Sequence, residues 1–154
     1  MLTHVFTGSY GRVYSTAMPI LRGQVFHVTT PQAYLLIKED GFVGANTGGE
    51  YGTTCSQSSV SHFRRRRCVS LVDLRSISEE SLARGIRKYD FLNRFPCSVL
   101  LVLNRRSYPS LIPWEDPNGE LVQEMVVPEF EVGFPSRLPI DLIDRSIYIA
   151  IEGW

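Results

Sequence analysis

The segment VFHVTTPQAYLLIKEDGF, residues 25–42, runs a strand directly into a helix. Val and Phe make the stretch from Gln24 to Thr29 a strand. Thr30-Pro31 then supplies an N-cap and a proline at the first helical position, where its missing N–H leaves nothing unpaired. Ala33, Leu36 and Ile37 form the apolar stripe of a helix that Gly41 ends, because glycine accepts the left-handed turn of a C-cap.

Upstream, Leu2–Thr7 and Arg12–Ser15 read as two short strands around the turn Gly8-Ser9-Tyr10-Gly11. Downstream, Gly41–Ser61 contains five glycines and few large apolar residues. It reads as a long irregular loop, and such loops in a compact domain are more often functional than incidental. Cys68–Leu74 follows as a buried strand. Ser78-Glu79-Glu80 opens a second helix, with acidic residues where the helix dipole favours them, that runs to about Leu92. Cys97–Leu103 is the most apolar strand and is expected at the centre of the sheet. Arg105–Gly119 is a loop with three prolines. Val122–Val127, Glu129–Phe134 and Ser146–Ile151 complete the strands, with a helical turn over Pro139–Ile143. Strand–helix–strand units predict parallel pairs, and the closing run of strands predicts antiparallel ones. The sum is an α+β fold with a split or mixed sheet and flanking helices, in one domain spanning residues 1–154.

Composition bounds the function. With 154 residues, 44% hydrophobic and 21% charged, the chain has material for a core and is not of the disordered class. Zero net charge excludes a surface that grips nucleic acid as a whole, so any basic site is local. Cys55, Cys68 and Cys97 are odd in number with no CxxC spacing, which argues against a disulfide framework or a zinc ribbon. Reduced thiols fit a cytoplasmic protein. The longest apolar runs, Val99–Leu103 and Ile147–Ile151, are too short to cross a bilayer, and no secretory h-region opens the chain. A soluble, cytoplasmic protein with no membrane partner is expected.

No Walker loop, GxGxxG, HExxH or GxSxG is present, which removes the common nucleotide and hydrolase signatures. Glycines 41, 44, 48, 49 and 52 match no phosphate-loop spacing. His27 and Thr29 share a strand face by their spacing of two. They are either satisfied polar residues of an apolar strand or a pair able to bind sugar hydroxyls at the strand's carboxyl end. Glu129 and Glu131 flank Phe130 and are expected on one strand face with Phe130 inward. They are either a solvated edge or a carboxylate pair able to steady an oxocarbenium-like centre. Arg64, Arg65, Arg66 and Arg67 are a run of cations beside the glycine loop. They are either solvated or a site for phosphates or nucleic acid. The loop around Trp114, Glu115 and Asp116 has no metal-ligand spacing, and no metal is expected.

Val25–Phe42, with its strand histidine, a Thr two residues on and a helix ending in a glycine turn, resembles the opening of ADP-ribosyltransferase-fold domains. PEFEVGFPSRLPIDLIDRSIYI, residues 128–149, looks like the close of that fold, and together the two segments cover about a quarter of the chain. The likeness is to relatives of the DNA-targeting ADP-ribosyltransferase toxins and to the tRNA 2′-phosphotransferases. The resemblance implies NAD as the donor. His27 would bond the ribose on the adenosine side. Val28 stands where many relatives have glycine, whose backbone holds the nicotinamide amide, and Thr29 takes the Ser/Thr place. Tyr34 and Tyr51 are the candidates to stack on nicotinamide. Glu131 best fits the catalytic glutamate, with Glu129 as the earlier member of a Glu-x-Glu pair that activates the acceptor. Glu124 is an alternative carboxylate. ADP-ribosyl transfer to a protein or nucleic acid is the leading expectation. Removal of an RNA 2′-phosphate by way of NAD, and a non-catalytic module binding NAD, ADP-ribose or a partner, are the alternatives. His27 and Glu131 are expected on neighbouring strands facing one cleft.

Overall fold

Ser9 starts a helix where a hairpin is expected. Strand β1 (Leu2–Gly8) is followed at once by helix α1 (Tyr10–Leu21), with Ser9 Oγ accepting from Arg12 N. Val13, Ala17, Met18 and Leu21 form one buried stripe at helical spacing. That spacing overrides the two glycines, 8 and 11, on which a turn and a second strand over Arg12–Ser15 rested. The structure, a computed structural model, describes residues 1–45, 61–115 and 126–153.

The next two elements are β2 (Val25–Thr29) and α2 (Pro31–Asp40). Thr30 Oγ1 accepts from Ala33 N at 3.1 Å, and Gly41 takes a φ of 85° at the C-cap. The buried stripe of α2 is Tyr34 and Ile37, whereas Leu36 is exposed. Tyr34 outcompetes Leu36 because positions 34 and 37 lie one turn apart on the sheet-facing side.

Then come β3 (Phe42–Gly44), α3 (His62–Arg65), β4 (Cys68–Asp73) and α4 (Glu79–Lys88). Helix α4 stops short of Leu92, since Tyr89 already leaves the helical conformation and Phe91 and Leu92 are buried in the turns beyond. Strand β5 (Cys97–Leu103) precedes a 3-10 helix over Arg105–Ser110 and β6 (Ile112–Pro113). Strands β7 (Glu131–Pro135), β8 (Arg137–Pro139) and β9 (Ile143–Ile151) follow. Of the strand expected over Val122–Val127, residues 126 and 127 are described and are not in a strand. The glycine-rich loop lies outside the described residues beyond position 45, until Ser61.

The protein is α+β, with a mostly antiparallel sheet and flanking helices. Seven strands run in the order β1-β9-β5-β2-β4-β7-β6, and β3 and β8 form a separate pair. Among the described strands only β1 and β9 are parallel neighbours. The strand–helix–strand units therefore do not make parallel pairs. β9 and β5 stand between β1 and β2, β2 stands between β4 and β5, and β2 meets β4 antiparallel.

Helices α1 and α4 cover one face, where Met18, Leu21, Leu82 and Phe91 pack on Phe26, Leu100, Val102 and Ile147. Helix α2 covers the other, where Tyr34 and Ile37 pack with Val25, Val99, Leu101 and Val132. Between β2 and β4 the sheet is joined by two residue pairs, Val25↔Asp73 and Phe26↔Val72, against five between β4 and β7. Past Phe26 these two strands part. Among the described residues no helix is long and apolar enough to cross a membrane.

Candidate functional site

The register of β4 on β7 sets Val72 opposite Glu131 and Ser70 opposite Gly133. Side chains on one face alternate, so Ser70, Glu131 and position 133 face the same way. Phe63 fills the space over Gly133, where an added Cβ would lie 2.4 Å from its ring. Ser70 Oγ donates to Glu131 Oε2 at 2.7 Å, and Val127 N donates to Oε1 at 2.8 Å. Both carboxylate oxygens are therefore held. Burial pushes the Glu131 carboxyl above its ordinary value, while the Ser70 and Val127 donors pull against that rise. Tyr89, at the end of α4, is pushed up to about 12 by burial, with Arg94 opposing and the Glu131 charge adding to it. The tyrosine is thus within electrostatic reach of the carboxylate and stays a neutral donor at physiological pH.

Glu129 is not on the strand. It stands in the turn before β7, so the two glutamates do not alternate along one face. Phe130 does enter the core, packing edge-on against Phe91 with centroids 5.7 Å apart. With Phe130 pinned inward, the turn sends Glu129 toward α4 and Glu131 toward β4. Glu129 Oε1 accepts from Lys88 Nζ at 2.5 Å, with Arg84 Nε at 4.0 Å. Its other oxygen is buried and has no hydrogen-bond partner among the described residues. Burial acts to raise this carboxyl, but the Lys88 hydrogen bond and the Lys88 and Arg84 charges outweigh it, and the net shift is downward. Two carboxyls one residue apart from Phe130 are thus driven in opposite directions.

Both line a cleft of about 480 Å³, open where the chain leaves β4 and begins β7. Asp73, Arg75 and Trp114 are among its other described walls. Arg75 is clamped on Asp73 by two bonds, Nε to Oδ1 at 3.0 Å and Nη2 to Oδ2 at 2.8 Å, and lies over the Tyr108 ring.

His27 stands elsewhere. Strand β4 separates β2 from β7, and alternation puts His27 beside Leu101 on the face opposite Glu131. The expectation of neighbouring strands facing one cleft is therefore corrected. The cause is β4, which inserts between them. The His27 imidazole turns into the parting between β2 and β4, where Nδ1 lies 3.0 Å from Ser70 O. A carbonyl only accepts, so Nδ1 carries the proton and Nε2 holds the lone pair of a neutral ring. Burial lowers the His27 pKa, and the bond to Ser70 opposes this. Ser70 thus touches both residues, through its carbonyl and through its hydroxyl.

Val28 turns to the Glu131 side of the sheet and packs on the first core. Thr29 is buried at the end of β2 on the His27 side. Tyr34 is buried, with Lys38 Nζ 4.6 Å from its ring centroid and Tyr148 beside it, so its ring is committed to packing. Tyr51 and Glu124 lie outside the described residues. Arg64 and Arg65 end α3, Arg66 Nη1 donates to His62 O, and Arg67 turns the chain with a φ of 55°. The run thus borders the start of β4, whereas the cleft opens at its other end.

No family model, curated protein or solved structure matches the chain. The site therefore stands on its own geometry. Ser70, Lys88, Tyr89, Asp73 and Arg75 are the residues that sequence reasoning missed. Ser70 alone left a trace, as the one small polar residue inside the apolar run of β4, between Val69 and Leu71.

Proposed function

We propose that the cleft is a glycosyl-transfer site and that the chain is an NAD-dependent ADP-ribosyltransferase with Glu131 as its charge-stabilising carboxylate. The observation that carries the reading is Glu131 itself, held through both oxygens at a cleft it shares with a second carboxylate whose pKa is shifted the other way. Groups whose environments push their pKa values apart mark divided acid–base roles. The narrow join between β2 and β4 is in keeping with a split-sheet fold of the ADP-ribosyltransferase type.

The residues fit part of NAD. Two carboxylates suit ribose hydroxyls, and Trp114 offers an aromatic wall. His27, Thr29 and Tyr34 do not line the cleft, so no adenosine-side or stacking role is assigned to them here. NAD supplies a nicotinamide leaving group whose departure puts positive charge on an anomeric carbon. Glu131, fixed by Ser70 and Val127, is already oriented when that charge develops, which is when a carboxylate helps most. Glu129 stays ionised beside Lys88 and lines the same cleft, where it would activate an acceptor. A protein or nucleic acid extending along β4 would meet Arg64–Arg67.

The test is nicotinamide release and mass addition to macromolecules incubated with NAD. Glu131→Gln should slow release by roughly a hundredfold, about 3 kcal/mol, with NAD binding nearly unchanged. Glu129→Gln should lower transfer and spare hydrolysis by water. One observation favours a second reading: the dispersal of His27, Thr29 and Tyr34 away from the cleft suits a binding module. Calorimetric binding of NAD or ADP-ribose with no nicotinamide released by the wild type would select that reading. Loss of a 2′-phosphate from RNA without mass gain would instead select the phosphotransferase.

A further inference from the structure

Strand β1 is an outer strand of the seven-stranded sheet, and among the described residues no strand covers its free side. Natural edges carry lysine, proline or a bulge to discourage pairing. LTHVFTG has none, and its register with β9 is unbroken. One contact orients the whole strand. Glu152 N donates to Gly8 O at 2.8 Å, so the Gly8 carbonyl points toward β9. Backbone groups of successive strand residues point to alternate sides. Leu2, His4, Phe6 and Gly8 therefore turn to β9, and Thr3, Val5 and Thr7 present their N–H and C=O groups at the open edge.

Those three residues are symmetric about Val5, which is 67% exposed. A second copy running antiparallel, related by a two-fold axis at Val5, sets Val5 against Val5 and Thr3 against Thr7 in both directions. These are three hydrogen-bonded pairs, and each exchanges two N–H···O=C bonds. The side chains agree with the backbone. One face carries Thr–Thr and Val–Val pairs, which stabilise cross-strand neighbours. On the other face, where antiparallel strands come closest, His4 of each copy meets Phe6 of the other. His4 and Phe6 already lie parallel with centroids 6.2 Å apart, so the two copies complete a row of four rings. Met1 and Leu2 are also more than half exposed. Tyr34 Oη donates to Met1 Sδ at 3.1 Å, which ties α2 to the residue before β1. Exposed Met1 and Leu2 add apolar surface at the end of the ladder, beyond what the strand pairs alone supply.

We propose that the protein is a two-fold homodimer joined edge to edge through β1, in register about Val5. Sedimentation equilibrium of the wild-type chain should give twice the chain mass, falling toward the monomer on dilution. Val5→Lys sets two cations face to face on the axis and should halve the mass. Val5→Pro removes the outward N–H, which β9 does not use, and should do the same. Circular dichroism of both variants should match the wild type, and agreement between two unlike substitutions guards against simple misfolding. Register is read by oxidation. Val5→Cys should cross-link to a dimer on a non-reducing gel far more than the wild type, whose own cysteines serve as background. Thr3→Cys, whose partner across the axis is Thr7, should not. A wild type that stays monomeric as concentration is raised overturns the proposal. So does a dimer indifferent to Val5→Lys, or equal cross-linking from Thr3→Cys.

Discussion

Ser70 is the residue on which the candidate site depends most, because its hydroxyl donates to Glu131 and its carbonyl accepts from His27. Ser70→Ala deletes a donor to the ionised carboxylate, which disfavours that form and moves the Glu131 pKa further up. Under the proposed function a stabiliser of positive charge must be ionised, so the acid limb of nicotinamide release should lie above a glutamate's ordinary 4.5 in the wild type and shift higher in Ser70→Ala. A pH–rate profile that does not move would detach Ser70 from the chemistry. His27 makes a separate prediction about stability. Its folded pKa is depressed, so its contribution is fully present above the unfolded value of 6.5 and is lost as pH falls toward the folded value. Urea titrations on either side of 6.5 should show that loss, and His27→Gln should flatten it. Glu131 acts in the opposite sense. Its raised pKa gives stability at low pH that is lost as pH rises through the folded value, so Glu131→Gln should raise neutral-pH stability while lowering activity.

At the scale of elements, α4 and the turn before β7 are coupled by a missing side chain. A Cβ at Gly85 would stand 2.4 Å and 2.7 Å from Phe130 ring atoms. Helix propensity alone favours alanine there by about 1 kcal/mol. Phe130 is buried and wedged against Phe91, so it has little room to yield, and overpacking of this kind costs about 1–3 kcal/mol. Gly85→Ala should therefore lower the unfolding free energy. Under the proposed function it should also depress nicotinamide release, because displacing Phe130 displaces the glutamates on both sides of it. This coupling was not legible in the sequence, where Gly85 is only an unfavourable residue in a helix. What was legible carried its own local signal. Thr30-Pro31 and Gly41 bracket α2, and the apolar runs of β4 and β5 announce buried strands. Helix α1 is hidden by the turn-like Gly8 and Gly11, although the spacing of Val13, Ala17 and Leu21 carries its signal. At the site, Glu131 was visible by likeness and Glu129 by adjacency. The Ser70–Glu131 bond spans 61 positions and arises from antiparallel register, which no periodicity within one segment encodes.

For the whole molecule, the two-pair join between β2 and β4 divides the sheet into unequal parts. β1, β9, β5 and β2 are linked by seven, seven and four residue pairs, whereas β4, β7 and β6 are linked by five and two. Native-state hydrogen exchange should find the amides of β5 and β9 most protected and those of β7 opening at lower free energy. Uniform protection across the join would show the sheet to be a single cooperative unit. The position of β9 has a consequence in time. It is inserted between β1 and β5, and among the described residues β1 has no other neighbour in the sheet. During synthesis β1 must wait for residues 143–151 before it can join this sheet. Contacts so distant along the chain slow folding and lengthen the exposure of strand edges to aggregation. A nascent chain halted before residue 143 would hold β5 open along one side and β1 along both, so a holdase chaperone should bind it until β9 arrives.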